Sequence, residues 1–196
     1  MRLVTLFALF AALALAEGIT IVLDFEGRHS EQAVAEMKRE FTGILKDAPV
    51  TVDWRTRQQA QREALANLVV VRFKGTCIFD PVGYLYDERG PMAFTYAAPG
   101  EVQPFSDVAC DRVNTVLRSA LSSSDYSKGN VLLGRALGRV LAHEFVHMLS
   151  ASAIHGREGV ARESLSGNQL IAPELRLATE DLERLNTVAR SRKATH

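Results

Sequence analysis

The 196-residue sequence has no excess charge of either sign: 23 lysines and arginines balance 23 aspartates and glutamates. That balance removes the electrostatic footprint of a nucleic-acid binder or of a protein held on an anionic membrane. No internal repeat and no low-complexity block appears, and beyond residue 16 no stretch is apolar enough to cross a bilayer. Cysteine occurs only twice, at Cys77 and Cys110. Neither has a metal-binding neighbour at short spacing, which argues against a cysteine-built metal site. Both also lie deep in the chain, so no pro-segment with a cysteine switch is visible. What remains is an ordinary composition, 47% hydrophobic and 23% charged, suited to one globular domain with its own core.

The first residues read as an address. Arg2 precedes an apolar run from Leu3 to Leu15, and Ala14-Leu15-Ala16 carries the small-x-small pattern of a cleavage site. Residues 1–16 are therefore expected to be a secretory signal cut after Ala16, leaving residues 17–196 as a single exported domain, secreted or periplasmic. An oxidising compartment favours joining Cys77 to Cys110, the alternative being two buried free thiols. The bridge would close a loop of roughly thirty residues and contribute about 3 kcal/mol in the chain-entropy model.

The apolar run Ile19–Phe25 predicts a central strand. Ser30 is placed to cap a helix running to about Lys46, with Ala33, Met37, Phe41 and Leu45 on one face. Thr51–Arg55 alternates as a short strand, a polar helical turn or two is expected over 57–64, and Leu68–Phe73 is the clearest strand of all. The segment 78–90 reads as loop. Met92–Ala97 and Val102–Ala109 flank the turn dipeptide Pro99-Gly100 and predict a hairpin. A helix follows from Cys110, a polar break spans Ser122 to Gly129, and a long helix runs from about Val131 to Leu149. The stretch 150–171 has no steady periodicity, and Pro173 is expected to open a last helix to about Arg190. This order implies an α+β fold: a mixed, twisted sheet packed on the long helix, with a short C-terminal helical part.

Within the long helix, residues 143–147 read His-Glu-Phe-Val-His. Residues four apart stack on one face of a helix, so His143 and His147 can aim two imidazoles at one metal ion, with Glu144 beside it to take a proton from a metal-activated water. Both histidines fall at the border of the apolar stripe made by Leu133, Leu137, Val140, Leu141, Phe145 and Met148, as ligands facing a cleft should. A catalytic zinc needs a third protein ligand and an open fourth position. His155 follows a run of small residues, Ser150-Ala151-Ser152-Ala153, and precedes Gly156, so the chain has the freedom to turn back.

Here the sequence resembles the metzincin clan of zinc peptidases, whose motif is His-Glu-x-x-His-x-x-Gly-x-x-His followed by a methionine-containing turn. His143, Glu144 and His147 match it. Ser150 stands where the clan has glycine, Ala153 stands where it has the third histidine, and His155 arrives two residues later. Gly159-Val160-Ala161-Arg162 resembles the segment holding the clan's turn, with Ala161 in place of methionine. The pattern His-Glu-Phe-Val-His-x7-His-Gly with a nearby cysteine pair is also similar to a group of small, uncharacterised secreted bacterial proteins. The resemblance implies one Zn2+ held by His143, His147 and His155. In the thermolysin-like pattern the third ligand is a glutamate downstream, which leaves Glu163 and Glu174, and the closer Glu158, as rivals to His155.

The expected function is a secreted zinc metallopeptidase that hydrolyses peptide bonds of a peptide or protein substrate, with Glu144 as general base. The alternative is an exported zinc-binding module without activity. By analogy with the clan, strand Met92–Ala97 forms a sheet edge above the cleft that holds substrate by strand addition. His29 reads as a loop residue, His196 as part of a mobile C-terminus, and Trp54 as core. Asp111, Arg112, Arg135 and Arg139 read as surface charges or an ion pair near a helix end.

Overall fold

The computed structural model describes residues 17–65, 67–82, 90–99 and 101–194. The expected signal segment 1–16 with its cleavage site after Ala16, the centre of the 78–90 loop, Gly100 of the expected turn and His196 lie outside the described residues.

Five strands form one mixed sheet in the order β2-β1-β3-β5-β4: β1 (Glu17–Phe25), β2 (Val50–Thr56), β3 (Leu68–Lys74), β4 (Ala93–Ala98) and β5 (Glu101–Ala109). All neighbours run parallel except β4, which pairs antiparallel with β5 and forms one edge. The alternation explains the layering. Ile21 and Leu23 of β1 are buried and in register with the buried Val69 and Val71 of β3, and Phe25 lies opposite the buried Phe73, so one face of the sheet is continuously apolar. Four-residue helix α2 (Arg57–Ala60) supplies only the first turn of the helical stretch expected over 57–64, closed by a reciprocal cap between Thr56 and Gln59.

Helix α1 (Glu31–Ile44) starts at Ser30, whose hydroxyl accepts from the Ala33 amide, and buries Ala33, Met37, Phe41 and Ile44. It packs on α4 (Gly129–Ser150), which carries the His-Glu-Phe-Val-His motif. Their backbones touch. A Cβ on Gly134 would lie 2.4 Å from the Ala33 carbonyl oxygen, and one on Gly138 would lie 2.7 Å from that of Met37. Phe41 and Phe145 then meet edge to face at 5.1 Å. This close crossing fixes α4, and with it the motif, relative to the sheet.

Helix α3 (Cys110–Arg118) is tied to the chain after β3 by the Cys77–Cys110 disulfide, with a Cα–Cα distance of 5.0 Å. Both cysteines are buried. The polar break of residues 122–129 contains a 3-10 turn over Ser123–Lys128. Within the stretch lacking periodicity lies short α5 (Gly167–Ile171). Pro173 does not open the last helix: it ends α5, since a proline stops a helix it follows closely, and the chain stays irregular until α6 (Thr179–Ala194). No helix among the described residues is long and apolar enough to cross a membrane.

Three expectations about polar and aromatic residues change. Arg139 is not at the surface but fully buried on α4. Its guanidinium donates to Glu40 Oε1 at 2.7 Å and to the carbonyls of Gln169 and Ala172 at 2.5 and 2.8 Å, which binds α1, α4 and the end of α5 together. Arg135 reaches the Ile171 carbonyl in the same seam. Trp54 is half-buried, edge-on to Phe41 with the Lys38 ammonium over its ring.

Candidate metal centre

His143 and His147 stand one helical turn apart near the C-terminus of α4. Each has one ring nitrogen committed to a backbone carbonyl: Nδ1 of His143 lies 3.0 Å from the Val160 oxygen, and Nδ1 of His147 lies 2.8 Å from the Ser152 oxygen. A carbonyl only accepts, so both Nδ1 atoms carry the hydrogen and, in the neutral rings, both Nε2 atoms present bare lone pairs. Those two Nε2 atoms are 3.2 Å apart. Two acceptors at that separation repel unless a proton or a cation lies between them. Burial pushes the His143 imidazole down to about 4, with the Val160 bond opposing and the neighbouring His147 and His155 adding to the shift, so a shared proton is disfavoured near neutrality. Nitrogens at zinc–imidazole distance from one tetrahedral ion stand about 3.3 Å apart. The pair fits a metal.

The chain then turns back. Ser150, in the place of the motif's glycine, is still helical, and the left-handed residue is Ala151 at φ 48° and ψ 40°. The Ser152 amide closes the turn on the His147 carbonyl at 3.1 Å. With the reversal one residue later than that glycine position, His155 comes back over the helix end. Its ring lies 5.2 Å from that of His143 and 4.8 Å from that of His147, centroid to centroid. The three histidines offer ligand atoms within 4.8 Å of one another, a group able to hold a metal ion. No acidic residue joins that group among the described residues. Glu163 lines the same cleft and interacts electrostatically with His155, Glu174 is exposed in an ion pair with Arg176, and Glu158 is exposed.

Glu144 is buried beside the histidines, and its Oε2 accepts from the Thr95 hydroxyl at 2.5 Å. Burial raises its pKa, against the Thr95 hydrogen bond and the His147 charge. Thr95 sits on edge strand β4, so this bond joins the sheet edge to the motif helix. A cleft of about 340 Å³ opens between them, lined by His143, Glu144, His147 and His155 on one side and Ala93, Thr95 and Ala97 on the other. A second cavity of about 290 Å³ continues past Glu144 toward Arg112, Val116 and Val140.

The segment over residues 159–162 lies against the motif: Val160 is fully buried and supplies the carbonyl for His143, and the Ala161 carbonyl accepts from the Gly156 amide at 2.8 Å. His29 is remote from this cluster, stacked on Phe25 and paired with Glu31. Sequence reasoning missed Thr95, because a lone threonine in a strand carries no signal. It also missed Asp181 and Arg184 of α6, which grip the loop bearing His155. Compared with known proteins, the chain matches no protein-family model and no curated protein closely enough to name a relative.

Proposed function

We propose that this chain is an exported zinc metallopeptidase of metzincin-like type, with the ion held by His143, His147 and His155 and Glu144 as general base. The observation that carries the reading is the pair of facing Nε2 atoms 3.2 Å apart, each oriented by a carbonyl on its other nitrogen. All-imidazole donors of this kind suit zinc better than magnesium or calcium, which take oxygen ligands. When bound, zinc supplies Lewis acidity, polarising a carbonyl and lowering the pKa of a water toward neutrality.

The residues divide the remaining work. Glu144, with burial raising its pKa, is suited to take a proton from the attacking water and return it to the leaving amine. Thr95 holds that carboxylate through one oxygen and leaves the other for the water. Edge strand β4 offers unpaired backbone groups along the cleft, where an extended peptide can add as a further strand. The reading takes residues 1–16 as a secretion signal, and the disulfide is in keeping with an oxidising destination.

The test uses the chain from Glu17 onward, incubated with an unfolded protein mixture and read by mass spectrometry of new N-termini. Cleavage that stops with a chelator, returns with zinc and is lost in a Glu144→Gln protein still carrying zinc supports a peptidase. Stoichiometric zinc without cleavage by the wild type would make the chain a zinc-binding module instead.

A further inference from the structure

The third imidazole is held differently from the other two. His143 and His147 grow from a helix and are each oriented by a carbonyl, whereas the exposed His155 ring has no hydrogen-bond partner among the described residues: it meets the other two rings and feels Glu163 only through charge. Its position is therefore set by the main chain on either side, in a loop of small residues that carries little packing of its own.

Both sides of that loop are gripped by α6. On the N-terminal side, Arg184 Nη1 donates to the Ile154 carbonyl at 3.1 Å, and Nη2 of the same guanidinium donates to Asp181 Oδ1 at 2.7 Å. On the C-terminal side, Gly156 rests on the Asp181 carboxylate so closely that a Cβ there would fall 2.8 Å from Oδ2 and 3.0 Å from Oδ1. Residues 154 and 156 are thus held from one helix, and His155 is the residue between them. Asp181 itself is fully buried, and its Oδ2 has no hydrogen-bond partner among the described residues. A purely structural contact avoids a buried charge with one bare oxygen. Beside a site that gains positive charge on binding a divalent cation, the same carboxylate is stabilising.

We infer that Asp181 and Arg184 form a positioning pair that presents His155 to the metal. This rests on the reading of His155 as a ligand in the proposed zinc site. Without the pair the two helix-borne histidines remain, but the third must be ordered by the ion itself, and affinity falls. Loss of a supporting contact behind a ligand typically lowers metal affinity 10–100-fold.

The test measures zinc affinity by competition with a chromogenic chelator, together with the visible absorption of the cobalt-loaded protein, which reports the ligand set rather than activity. The proteins are wild type, His155→Ala, Asp181→Ala, Arg184→Ala, Arg184→Lys and the Asp181→Ala/His155→Ala double variant. Asp181→Asn, which keeps the shape, replaces Asp181→Ala if thermal melting shows that variant unfolded. The expected result is a loss of about 10–100-fold in Asp181→Ala and Arg184→Ala, with a cobalt spectrum moved toward that of His155→Ala. Arg184→Lys should stay weakened, because an ammonium cannot fork between Ile154 and Asp181. In the His155→Ala background, Asp181→Ala should cause no further loss, the signature of two residues acting as one. Wild-type affinity in Asp181→Ala, or the same loss with and without His155, overturns the positioning role while leaving the three-histidine site standing. Wild-type affinity in His155→Ala removes the ligand itself, and the pair's role with it.

Discussion

His143 and His147 face each other through Nε2 atoms 3.2 Å apart while their Nδ1 atoms are tied to Val160 and Ser152. In the proposed zinc site these two rings are already oriented, so binding an ion would draw little ordering from them. Chelation should accordingly lower the melting temperature of the purified protein, and zinc at 100 times its dissociation constant should add about 2.7 kcal/mol. His143→Ala and His147→Ala should each abolish tight binding. Stoichiometric zinc retained in both variants would contradict the site.

The α1–α4 crossing has no room for a methyl group at Gly138, whereas Gly43 near the end of α1 has nothing within 4 Å of where a Cβ would go. Gly138→Ala should cost about 1–3 kcal/mol through overpacking against the Met37 backbone. Gly43→Ala should stabilise by about 0.5–1 kcal/mol through helix propensity alone. Urea titration of the two variants checks the pair. Equal effects would show that the backbones do not meet at Gly138.

On the sheet face away from the core, the Asp107 carboxylate accepts from Arg72 at 2.9 Å, from Lys74 at 2.7 Å and from the Tyr96 hydroxyl at 2.7 Å. Burial alone would raise the Asp107 pKa, but the bonds from Arg72, Lys74 and Tyr96 outweigh it and hold the carboxyl at about 2. A carboxyl depressed in the folded state stabilises above its ordinary pKa, near 3.8, and that contribution fades as pH falls toward 2. Partial exposure limits it to on the order of 1 kcal/mol. Asp107→Asn should reduce stability at pH 7 and flatten its loss between pH 4 and 2, measured by melting temperature. An unchanged acid limb in the variant would remove Asp107 from the account.

Cys77 and Cys110 are both buried and joined across 33 residues. The intact mass of the purified protein should be two hydrogens below that of the dithiol, with no native reaction toward an alkylating agent. The Cys77→Ala/Cys110→Ala protein should lose about 3 kcal/mol of stability. Labelling of both thiols in the native protein would contradict the bridge.

Much of this architecture could be read in advance, for physical reasons that differ by element. Strands β1 and β3 announce themselves because they are buried and β-branched, and the α+β fold follows from the element order. The motif on α4 is legible because one helical turn is all it needs. Arg139 was not legible: an arginine on a helix is ordinarily solvated, and only the tertiary seam of Glu40, Gln169 and Ala172 makes it a buried pin. The apolar stripe suggested a helix backed on the sheet, and α4 does meet β4 and β5, but α1, α3, α5 and α6 also cover it, so it is buried on more sides than one stripe implies. Pro173 misled because the same residue type both opens and ends helices, and the α5 cap before it decides which. The grip of Asp181 and Arg184 on Ile154 and Gly156 spans some thirty residues of chain and leaves no local pattern.

The central claim is that three imidazoles, with His155 as the third, hold one zinc ion. X-ray absorption at the zinc edge, on the wild-type protein and on His155→Ala, tests it most directly. The account expects three imidazole nitrogens at roughly 2.0–2.1 Å and one oxygen in the wild type, falling to two imidazoles in the variant. No bound zinc, or the same ligand set with and without His155, would contradict it.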